Sequence, residues 1–333
     1  MTEETKVEEK YRRLEEIGGG QYGSVYLAED SAGQKYAVKK VFRGDARLGV
    51  DLSAVREVRA LRDIGRLYKA TREGSEDKKQ DEDWMFIIEL VDVFMKKGSV
   101  NLVFEYVPKT LYDLCKPGSE PMRPAMIKSI MEQLLRALRY LHDVCFLIHR
   151  DVKPENILLD MRDGSPRVRL TDFGTSRPLP SASIDEKEIA MTPQAVTLWY
   201  RPPELLLNSK GYGTTVDLWS AGCVLAEMFL RNPLFATEGS SELMQLFVIL
   251  GSALNVVKLI VPLNMESLVK NHEAIKRQSR VSLNGILNKM SPEMFDVAET
   301  LLSVYPPDRT TADNVLHMEF FTNPSVLDPD YMS

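Results

Sequence analysis

The residues 148–156, IHRDVKPEN, place five ionisable side chains between the apolar Ile148 and the apolar run ILL at 157–159. Pro154 and the mixed charges break both helical and strand periodicity, so the pattern predicts a loop. Ionisable groups at this density suit proton transfer and the stabilisation of developing charge. The loop is therefore a poor candidate for core and a good candidate for a reactive site.

A second candidate is the glycine pattern in IGGGQYGSV, where Gly18, Gly20 and Gly23 give G-x-G-x-x-G followed by Val25. Glycines let backbone N–H groups approach a phosphate without a Cβ in the way. Dinucleotide-binding folds use the same spacing but continue into a helix. Here the strand-like SVYLAED follows, so we expect a β-hairpin that covers phosphates.

The elements that position these residues divide the chain into two parts. Strand-like segments dominate the first third, with one helical stretch, DLSAVREVRALRDI, between the third and fourth; they read YRRLEEI, SVYLAED, KYAVKKVF, FIIELVDVFM and NLVFEYV. After about residue 110 apolar residues recur at three- and four-residue steps, which is typical of helices. TTVDLWSAGCVLAEMFL is predicted to run through a core, and SPEMFDVAETLLSV begins with a Ser cap followed by Pro. The pattern predicts an α+β architecture with a small β-rich lobe and a larger helical lobe.

Composition excludes several classes of protein. The 333 residues are 44% hydrophobic, enough for a large core, and the net charge of −6 argues against direct nucleic-acid binding. The scattered Cys115, Cys145 and Cys223 suggest reduced thiols. Because residues 1–10 lack an apolar signal region and no apolar run reaches the length of a membrane span, we expect no membrane association and a location in the nucleus and/or cytoplasm.

The motifs occur in an order that identifies a family. After the glycine loop come Lys39 in YAVKK, Glu57 in the predicted helix, the H-R-D-x-x-x-x-N run at 149–156 and D-F-G at 172–174. Protein kinases require these parts in this sequence, and the joint match leaves chance a negligible explanation. The chain resembles a eukaryotic protein kinase over roughly residues 11–322, which implies a bilobal fold. We assign 1–10 to an N-terminal tail, 11–106 to the N-lobe, 107–322 to the C-lobe and 323–333 to a C-terminal tail.

The resemblance implies a role for each catalytic residue. Asp151 accepts the proton of a substrate hydroxyl, and Lys153, typical of serine/threonine kinases, offsets the charge of the transferred phosphoryl group. Asn156 and Asp172 hold two Mg²⁺ ions against ATP, while Lys39 pairs with Glu57. His149 is expected to pack under Phe173 rather than to act as a base. The residues that would contact ATP are Ile17, Gly18, Gly20, Gly23, Val25, Ala37, Lys39, Phe104, Glu105, Val107, Leu158 and Asp172.

Further segments are similar to those of cyclin-dependent kinases. DLSAVRE resembles their cyclin-binding helix, and VTLWYRPPELLL resembles their substrate-positioning loop. The resemblance implies a cyclin-type regulatory subunit on helix 51–64 and protein substrates with Ser/Thr-Pro sites. It also implies that Glu204 pairs with Arg309, that Asp217 anchors the catalytic loop, and that Thr197 contacts Asp151 and Lys153.

Activation is expected to depend on a phosphate clamp. Arg56, Arg150 and Arg177 match the family's three phosphate-binding arginines, and Thr192 stands where the family's phosphorylated threonine lies. An exposed Lys39–Glu57 pair would contribute at most about 1 kcal/mol, whereas switching a protein from mostly off to mostly on takes about 5.5 kcal/mol. We therefore expect that a partner protein and a phosphate on Thr192 are both needed.

Several positions depart from the family pattern. Gln21 replaces the inhibitory threonine of the glycine loop, while the neighbouring regulatory position keeps Tyr22, for which a packing or lid role is the stronger expectation. Thr175 in DFGTSR replaces a common leucine. The insert at 71–84, TREGSEDKKQDEDW, is rich in charge and is predicted to be a solvated loop.

Alternatives within and outside the family remain at this point. GVDLSAVREV is most similar to the branch that activates other cyclin-dependent kinases and phosphorylates the RNA polymerase II tail, whereas TLWYRPPE is similar to the transcription-elongation branch. EYVPKTLYDL resembles glycogen synthase kinases, but those and the mitogen-activated kinases carry an activation-loop tyrosine, which is absent between Phe173 and Trp199. A non-catalytic kinase-fold scaffold is disfavoured because Lys39, Asp151 and Asp172 are all present.

Overall fold

In the computed structural model, the described residues are 10–20, 23–41, 52–74, 80–96, 98–162, 164–179, 198–209, 211–239, 241–251, 282–323 and the single positions 266, 270, 273 and 277. Among them, no helix has the length and apolarity that crossing a membrane would require. The three cysteines are unpaired. The architecture is a β-sheet lobe followed by a helical lobe, which confirms the predicted bilobal α+β fold.

The N-lobe sheet is antiparallel and has the strand order β1-β2-β3-β5-β4. Its strands are β1 (Arg12–Gly20), β2 (Gly23–Glu29), β3 (Lys35–Val41), β4 (Leu90–Lys96) and β5 (Ser99–Glu105). Successive residues alternate between faces. Tyr26, Val38 and Val103 form a small core on one face, while Leu102 and Phe104 join the main core on the other. The five strands confirm the strand-like segments that the sequence predicted.

Helix α1 (Leu52–Gly74) is longer than the sequence pattern suggested. Its buried face carries Ala54, Glu57, Leu61 and Ile64 at helical spacing. It packs against the 3₁₀ turn Phe173–Thr175, which follows the second candidate metal ligand. The helix therefore connects the sheet lobe to the site.

The prediction of a solvated loop at 71–84 is wrong in its described part. Residues 71–74 continue helix α1, and Gln80–Phe86 forms a 3₁₀ helix. Asp83 is only 2% exposed, and the Trp84 ring stacks on Tyr68 with centroids 4.0 Å apart. The charge-rich composition misled the prediction because the partners of Asp83 lie on a helix far along the chain, as shown below. Residues 75–79 lie outside the described residues.

The C-lobe is built around the apolar helices that the periodicity predicted. Its described helices are α2 (Tyr112–Cys115), α3 (Pro124–Arg139), α4 (Pro203–Leu206), α5 (Thr215–Leu230), α6 (Glu242–Leu250), α7 (Pro292–Leu301), α8 (Ala312–Leu316) and α9 (Glu319–Thr322). Ser291 caps α7, since its hydroxyl accepts from Met294 N at 3.3 Å. A Cβ at Gly222 would lie 2.8 Å from Leu301, so glycine lets α5 and α7 pack closely.

Short strands frame the site between the lobes. β6 (Lys109–Thr110), β8 (Ile157–Asp160) and β9 (Arg167–Leu170) form one antiparallel sheet, and β7 (Leu147–Ile148) pairs with β10 (Arg177–Pro178). A π-helical turn, Tyr140–Val144, extends α3. Consequently the candidate catalytic loop leaves β7 and enters β8, with both ends fixed by strand pairing.

Candidate active site

The catalytic loop is anchored to the core by Asp217 near the start of α5. Its fully buried carboxylate accepts hydrogen bonds from the backbone N–H groups of His149 at 2.8 Å and Arg150 at 2.7 Å, and from His142 Nε2 at 2.9 Å. Burial raises the pKa of Asp217, but these donors outweigh it and hold the pKa below its ordinary value. Arg150 has a φ of 69°, a left-handed conformation that needs such support. The predicted anchoring role is confirmed.

Asp151, Lys153 and Asn156 converge as the spacing suggested. Asp151 Oδ2 accepts from Lys153 Nζ at 2.8 Å and from Asn156 Nδ2 at 2.9 Å. Burial lowers the pKa of Lys153, but the charge of Asp151 outweighs this effect and raises it, so the ammonium stays protonated. Because Oδ2 takes both contacts, Oδ1 is left to accept a proton from a bound hydroxyl.

Lys39 on β3 joins the two lobes through a pair of carboxylates. Its Nζ lies 2.8 Å from Glu57 Oε2 on α1 and 3.1 Å from Asp172 Oδ1. Burial lowers the pKa of Lys39, but the two carboxylates raise it above its ordinary value. The expectation of an exposed Lys39–Glu57 pair is wrong, since Glu57 is 1% exposed. Breaking it would leave an uncompensated buried charge, which costs more than losing a surface pair.

His149 packs against Phe173, as expected from the sequence. The ring centroids lie 4.8 Å apart in an edge-to-face arrangement, and both side chains are fully buried. The His149 Nε2 atom lies 3.0 Å from the backbone oxygen of Thr171. The ring therefore ties the catalytic loop to the D-F-G segment, and its burial confirms a structural role.

The proposed cation ligands supply hard oxygen donors. Asn156 Nδ2 donates to the backbone oxygen of Asp151 at 2.8 Å as well as to its carboxylate, so the amide oxygen is the Asn156 atom that can bind a cation. Asp172 offers a carboxylate whose pKa burial raises but Lys39 holds below the ordinary value. The part of the chain that the structure describes has no cluster of three or more His, Cys, Asp or Glu that could bind a metal. Mg²⁺ usually takes one or two protein ligands with substrate phosphates, and this donor set fits that mode.

Five of the predicted ATP-contacting residues lie on one face of the sheet, namely Gly18, Val25, Ala37, Lys39 and Phe104. Opposed residues of antiparallel strands share a face, and the register pairs Gly18 with Val25, Val25 with Lys39 and Ala37 with Phe104. A Cβ at Gly23 would lie 2.2 Å from the backbone oxygen of Lys40, so the hairpin requires glycine there. Ile17, whose side chain is exposed, and Gly20 also lie on β1.

The other side of the predicted nucleotide cleft is apolar. Val107 and Leu158 pack against the main core with Phe104. Glu105 at the end of β5 pairs with Arg169, whose Nε lies 2.7 Å from the Glu105 carboxylate. The cleft thus has an apolar floor that suits a flat ring system and polar groups at its edge.

The predicted ion pair fixes the described part of the segment VTLWYRPPELLL, which we call the substrate-side loop. Arg309, fully buried, donates to both carboxylate oxygens of Glu204 at 2.6 and 2.9 Å. Such a bidentate pair fixes orientation as well as distance. The Glu204–Arg309 prediction is confirmed, while Thr197 lies outside the described residues.

The three arginines of the expected phosphate clamp lie close together, beside the N-terminal half of α1. Arg56, Arg150 and Arg177 line one cavity of about 490 Å³. The Tyr212 hydroxyl accepts from Arg150 and Arg177 at 3.0 Å each. Burial raises the pKa of Tyr212, but the two guanidinium groups lower it below its ordinary value. The two regulatory positions Thr192 and Tyr22 lie outside the described residues.

Several residues that complete the site have no signal in the sequence. Tyr212 and His142 occur in unremarkable contexts, yet each contacts a predicted site residue. Thr175, noted only as a departure, donates its hydroxyl to the backbone oxygen of His149 at 3.1 Å. The charged groups on α3 that hold Asp83 were also missed. The hydrogen-bonded partners of these residues are 26 to 75 positions away in the chain, so no local pattern reveals them.

Known proteins with similar sequences support what the geometry indicates. Residues 11–321 match the protein kinase domain family. The serine/threonine-protein kinase crk1 of Schizosaccharomyces pombe is 34% identical over 95% of this chain and 88% of its own length. Cyclin-dependent kinase 7 of Caenorhabditis elegans is 33% identical over 94% of this chain and 87% of its own length. A probable serine/threonine-protein kinase KIN28 homolog of Encephalitozoon cuniculi is 32% identical over 93% and 94%, respectively.

A protein kinase domain implies ATP and a divalent metal ion, for which the cleft supplies oxygen donors and an apolar floor. The chain belongs to the protein kinase family and is a serine/threonine protein kinase of the cyclin-dependent type.

Proposed function

We propose that the enzyme transfers the γ-phosphate of ATP to Ser or Thr residues followed by Pro, with Mg²⁺ as the metal ion. The observation that carries the proposal is the connection between the two halves of the site. Asp151 is hydrogen-bonded to Asn156 at 2.9 Å, Asn156 O accepts from Thr171 N at 2.9 Å, and Thr171 immediately precedes Asp172. A continuous path of hydrogen bonds and one peptide link therefore joins the proton acceptor to the cation ligands.

Each polar side chain has a task in this proposal. Asp151 orients the substrate hydroxyl and accepts its proton, and Lys153 offsets the negative charge that develops beside it. Lys39, held by Glu57 and Asp172, directs its ammonium group at the nucleotide phosphates. Asn156 and Asp172 would hold Mg²⁺, which when bound neutralises phosphate charge. Positioning and charge stabilisation supply most of the acceleration in phosphoryl transfer.

Asp151→Asn tests this mechanism. The substitution is nearly isosteric and removes the proton acceptor, so we expect loss of turnover with the fold and the nucleotide Kd nearly unchanged. The assay follows phosphate transfer to protein or peptide in the presence of a candidate cyclin. Lys109→Ala, an exposed change on β6, is a matched surface control. Wild-type turnover by purified Asp151→Asn would refute the assigned mechanism.

The preference for Pro after the phosphorylated residue follows from the VTLWYR loop. In kinases with this loop, the backbone at the position that matches Val196 offers no good acceptor to the N–H of the next substrate residue; Val196 itself lies outside the described residues. Proline has no N–H to leave unpaired, whereas other residues do. Paired peptides that differ only in Pro or Ala at this position measure the preference through kcat/KM. Equal kcat/KM values for the two peptides would refute it.

A cyclin-type regulatory subunit is proposed to bind the N-terminal half of α1. Leu52 and Val55 on this half are 58% and 49% exposed, and they lie close to Glu57 on the same helix. A cavity of about 350 Å³ adjoins them, lined by Val55, Val58 and Val100 with basic side chains. Val55→Asp should abolish activation by an added cyclin without lowering the Tm, and unchanged activation would argue against this face. The relatives named cyclin-dependent kinase 7 and KIN28 homolog support the proposal of the kinase-activating and transcriptional branch. The location in the nucleus and/or cytoplasm stays a prediction.

Phosphorylation of Thr192 is proposed to complete the clamp. A phosphate brings about −1.5 to −2 charges, and Arg56, Arg150 and Arg177 share one cavity that could receive it. Because Arg56 neighbours Glu57 on α1, the phosphate would couple the activation loop to the Lys39 pair. Thr192 precedes Pro193, so another copy of the enzyme is a suitable kinase for it.

A double-mutant cycle tests the clamp. Thr192→Ala and Arg177→Ala should each cause a substantial loss of activity with a saturating partner, and the double variant should lose little more. Simple additivity of the two losses, or full activity of Thr192→Ala, would contradict the clamp.

A further inference from the structure

The segment between α1 and β4 contacts two elements that position catalytic carboxylates: α1, which presents Glu57, and the strand that leads to Asp172. We name residues 83–88 the anchor segment. Its Trp84 stacks on Tyr68 of α1, the helix that presents Glu57. Its Ile87 bridges to Leu170, and Ile88 N donates to Leu170 O at 3.0 Å, two residues before Asp172. The segment is therefore in contact with the supports of both carboxylates that bind Lys39.

Tyr68 is well placed to transmit this contact to Glu57. An α-helix has about 3.6 residues per turn, so Tyr68 lies roughly three full turns after Glu57 and on nearly the same face of the helix. Between them that face carries Leu61 and Ile64, which are buried in the main core. A tilt of the helix that moved Tyr68 away from Trp84 would therefore also displace the side of the helix that presents Glu57.

The anchor segment is itself fixed to the C-lobe by a buried charge cluster. Asp83 Oδ1 accepts from Arg136 Nε at 2.7 Å, and Asp83 Oδ2 accepts from Arg139 at 2.9 and 2.7 Å. Arg139 also donates to Asp313 of α8 at 2.7 Å, so the second arginine is oriented from both sides. Arg136 lies over the Phe86 ring at 4.8 Å. Both oxygens of a 2% exposed carboxylate are thus satisfied by α3.

We propose that Asp83 and Trp84 are positioning residues that set the inward placement of Glu57 from the C-lobe. Asp83 holds the anchor segment on α3, and Trp84 holds the C-terminal half of α1 on the anchor segment. The proposed regulatory partner acts on the other half of the same helix, so the two supports act at opposite ends. The inference rests on the proposed role of the Lys39–Glu57 pair in catalysis.

The test compares substitutions at Trp84 with the partner-saturated enzyme. Trp84→Leu should lower kcat/KM by about tenfold, since misplaced catalytic groups cost rate, and should increase amide hydrogen exchange in residues 58–70. Trp84→Phe keeps an aromatic ring to stack on Tyr68 and should restore both readouts. Asp83→Asn should produce the same pattern as Trp84→Leu if it folds. Met85→Ala, at an exposed position in the same segment, is the matched control and should match the wild type.

Amide hydrogen exchange is also measured in residues 127–137 of α3, to distinguish a local release of α1 from a general loss of stability. An equal increase there in Trp84→Leu would assign Trp84 to overall stability and overturn the proposal. Wild-type kcat/KM in folded Trp84→Leu, or failure of Trp84→Phe to restore it, would also overturn it. Absence of kinase activity in the wild-type chain would instead refute the proposed function, while the exchange comparison would still decide whether Trp84 holds α1.

Discussion

Replacing Asp217 with Asn should damage the catalytic loop more than it damages the fold. The Asp217 carboxylate accepts three hydrogen bonds, one on Oδ1 from Arg150 N and two on Oδ2 from His149 N and His142 Nε2. An Asn amide has one oxygen, so it can keep the two bonds on one side only. Its NH₂ group would then face the Arg150 N–H, donor against donor.

The structure bounds the cost of this change. Hydrogen bonds to a charged group contribute about 1.5–3 kcal/mol each, and a buried group left unsatisfied costs a similar amount. Because these figures describe the same lost contact, we expect a destabilisation of about 3 kcal/mol. With an unfolding entropy of roughly 2 cal/mol/K per residue, this lowers the Tm by about 4 °C for a chain of this size. Arg150 would lose the bond that supports its left-handed backbone, and a shift of the loop by 1 Å can cost about 100-fold in rate.

The assay measures kcat, the KM for ATP and the Tm of the purified Asp217→Asn variant with a saturating partner. We expect kcat to fall at least tenfold while the KM for ATP changes little, because the nucleotide face of the sheet is separate from α5. Leu301→Ala, which removes a fully buried side chain of α7, should cost about 2–5 kcal/mol and leave kcat near the wild-type value. Equal kcat values for wild type and Asp217→Asn would refute the anchoring argument.

Two further predictions concern buried charges of the C-lobe. Burial raises the pKa of Glu227 to about 7, so the stability contributed by its neutral form is fully present below pH 4.5 and is lost as pH rises through 7. Glu227→Gln should remove this loss and raise the free energy of unfolding by up to roughly 3 kcal/mol at pH 8 relative to the wild type. Denaturant unfolding at pH 5 and pH 8 measures this gain, and equal gains at both pH values would contradict the assignment. Arg309→Met should lower the free energy of unfolding by about 3–5 kcal/mol because Glu204 is left buried and unpaired. The double variant with Glu204→Gln and Arg309→Met should lose clearly less stability. Thermal unfolding compares the two variants, and equal losses of stability would contradict the pairing argument.

The catalytic groups could be predicted from the sequence because their spacing is short and their chemistry is specific. Asp151, Lys153 and Asn156 lie within six residues, so their convergence needs only a tight loop. The pairing of Lys39 with Glu57 required the order of motifs, which the family pattern supplied. The structure brings these residues together at hydrogen-bonding distances.

The role of Asp83 could not be predicted, for a physical reason. A charge-rich stretch normally remains solvated because burying an unpaired charge is costly. Asp83 is buried because Arg136 and Arg139, on one face of α3, are positioned to receive it. That arrangement depends on tertiary packing between segments about 50 residues apart, which composition within the segment does not encode.

The same reasoning explains why the strength of the Lys39–Glu57 pair was misjudged. Side-chain types identify the pair, but its energy depends on solvent exposure, which varies with the packing of α1 against the Phe173–Thr175 turn. Helix length was underestimated for a related reason, since charged residues at 66–74 are good helix formers without an apolar stripe. Periodicity reports burial, and it therefore misses helical turns that extend into solvent.

The buried carboxylates suggest how the enzyme keeps its geometry. Asp217 fixes the catalytic loop to α5, Glu204 fixes the substrate-side loop to Arg309, and Asp83 fixes the anchor segment to α3. Apolar packing would hold such loops with less desolvation cost but with less directional precision, because hydrophobic contacts are non-directional. Each carboxylate fixes both distance and angle at a loop that carries or supports a reactive group. Substitutions at these three positions should consequently lower turnover by a larger factor than equally destabilising changes in the apolar core.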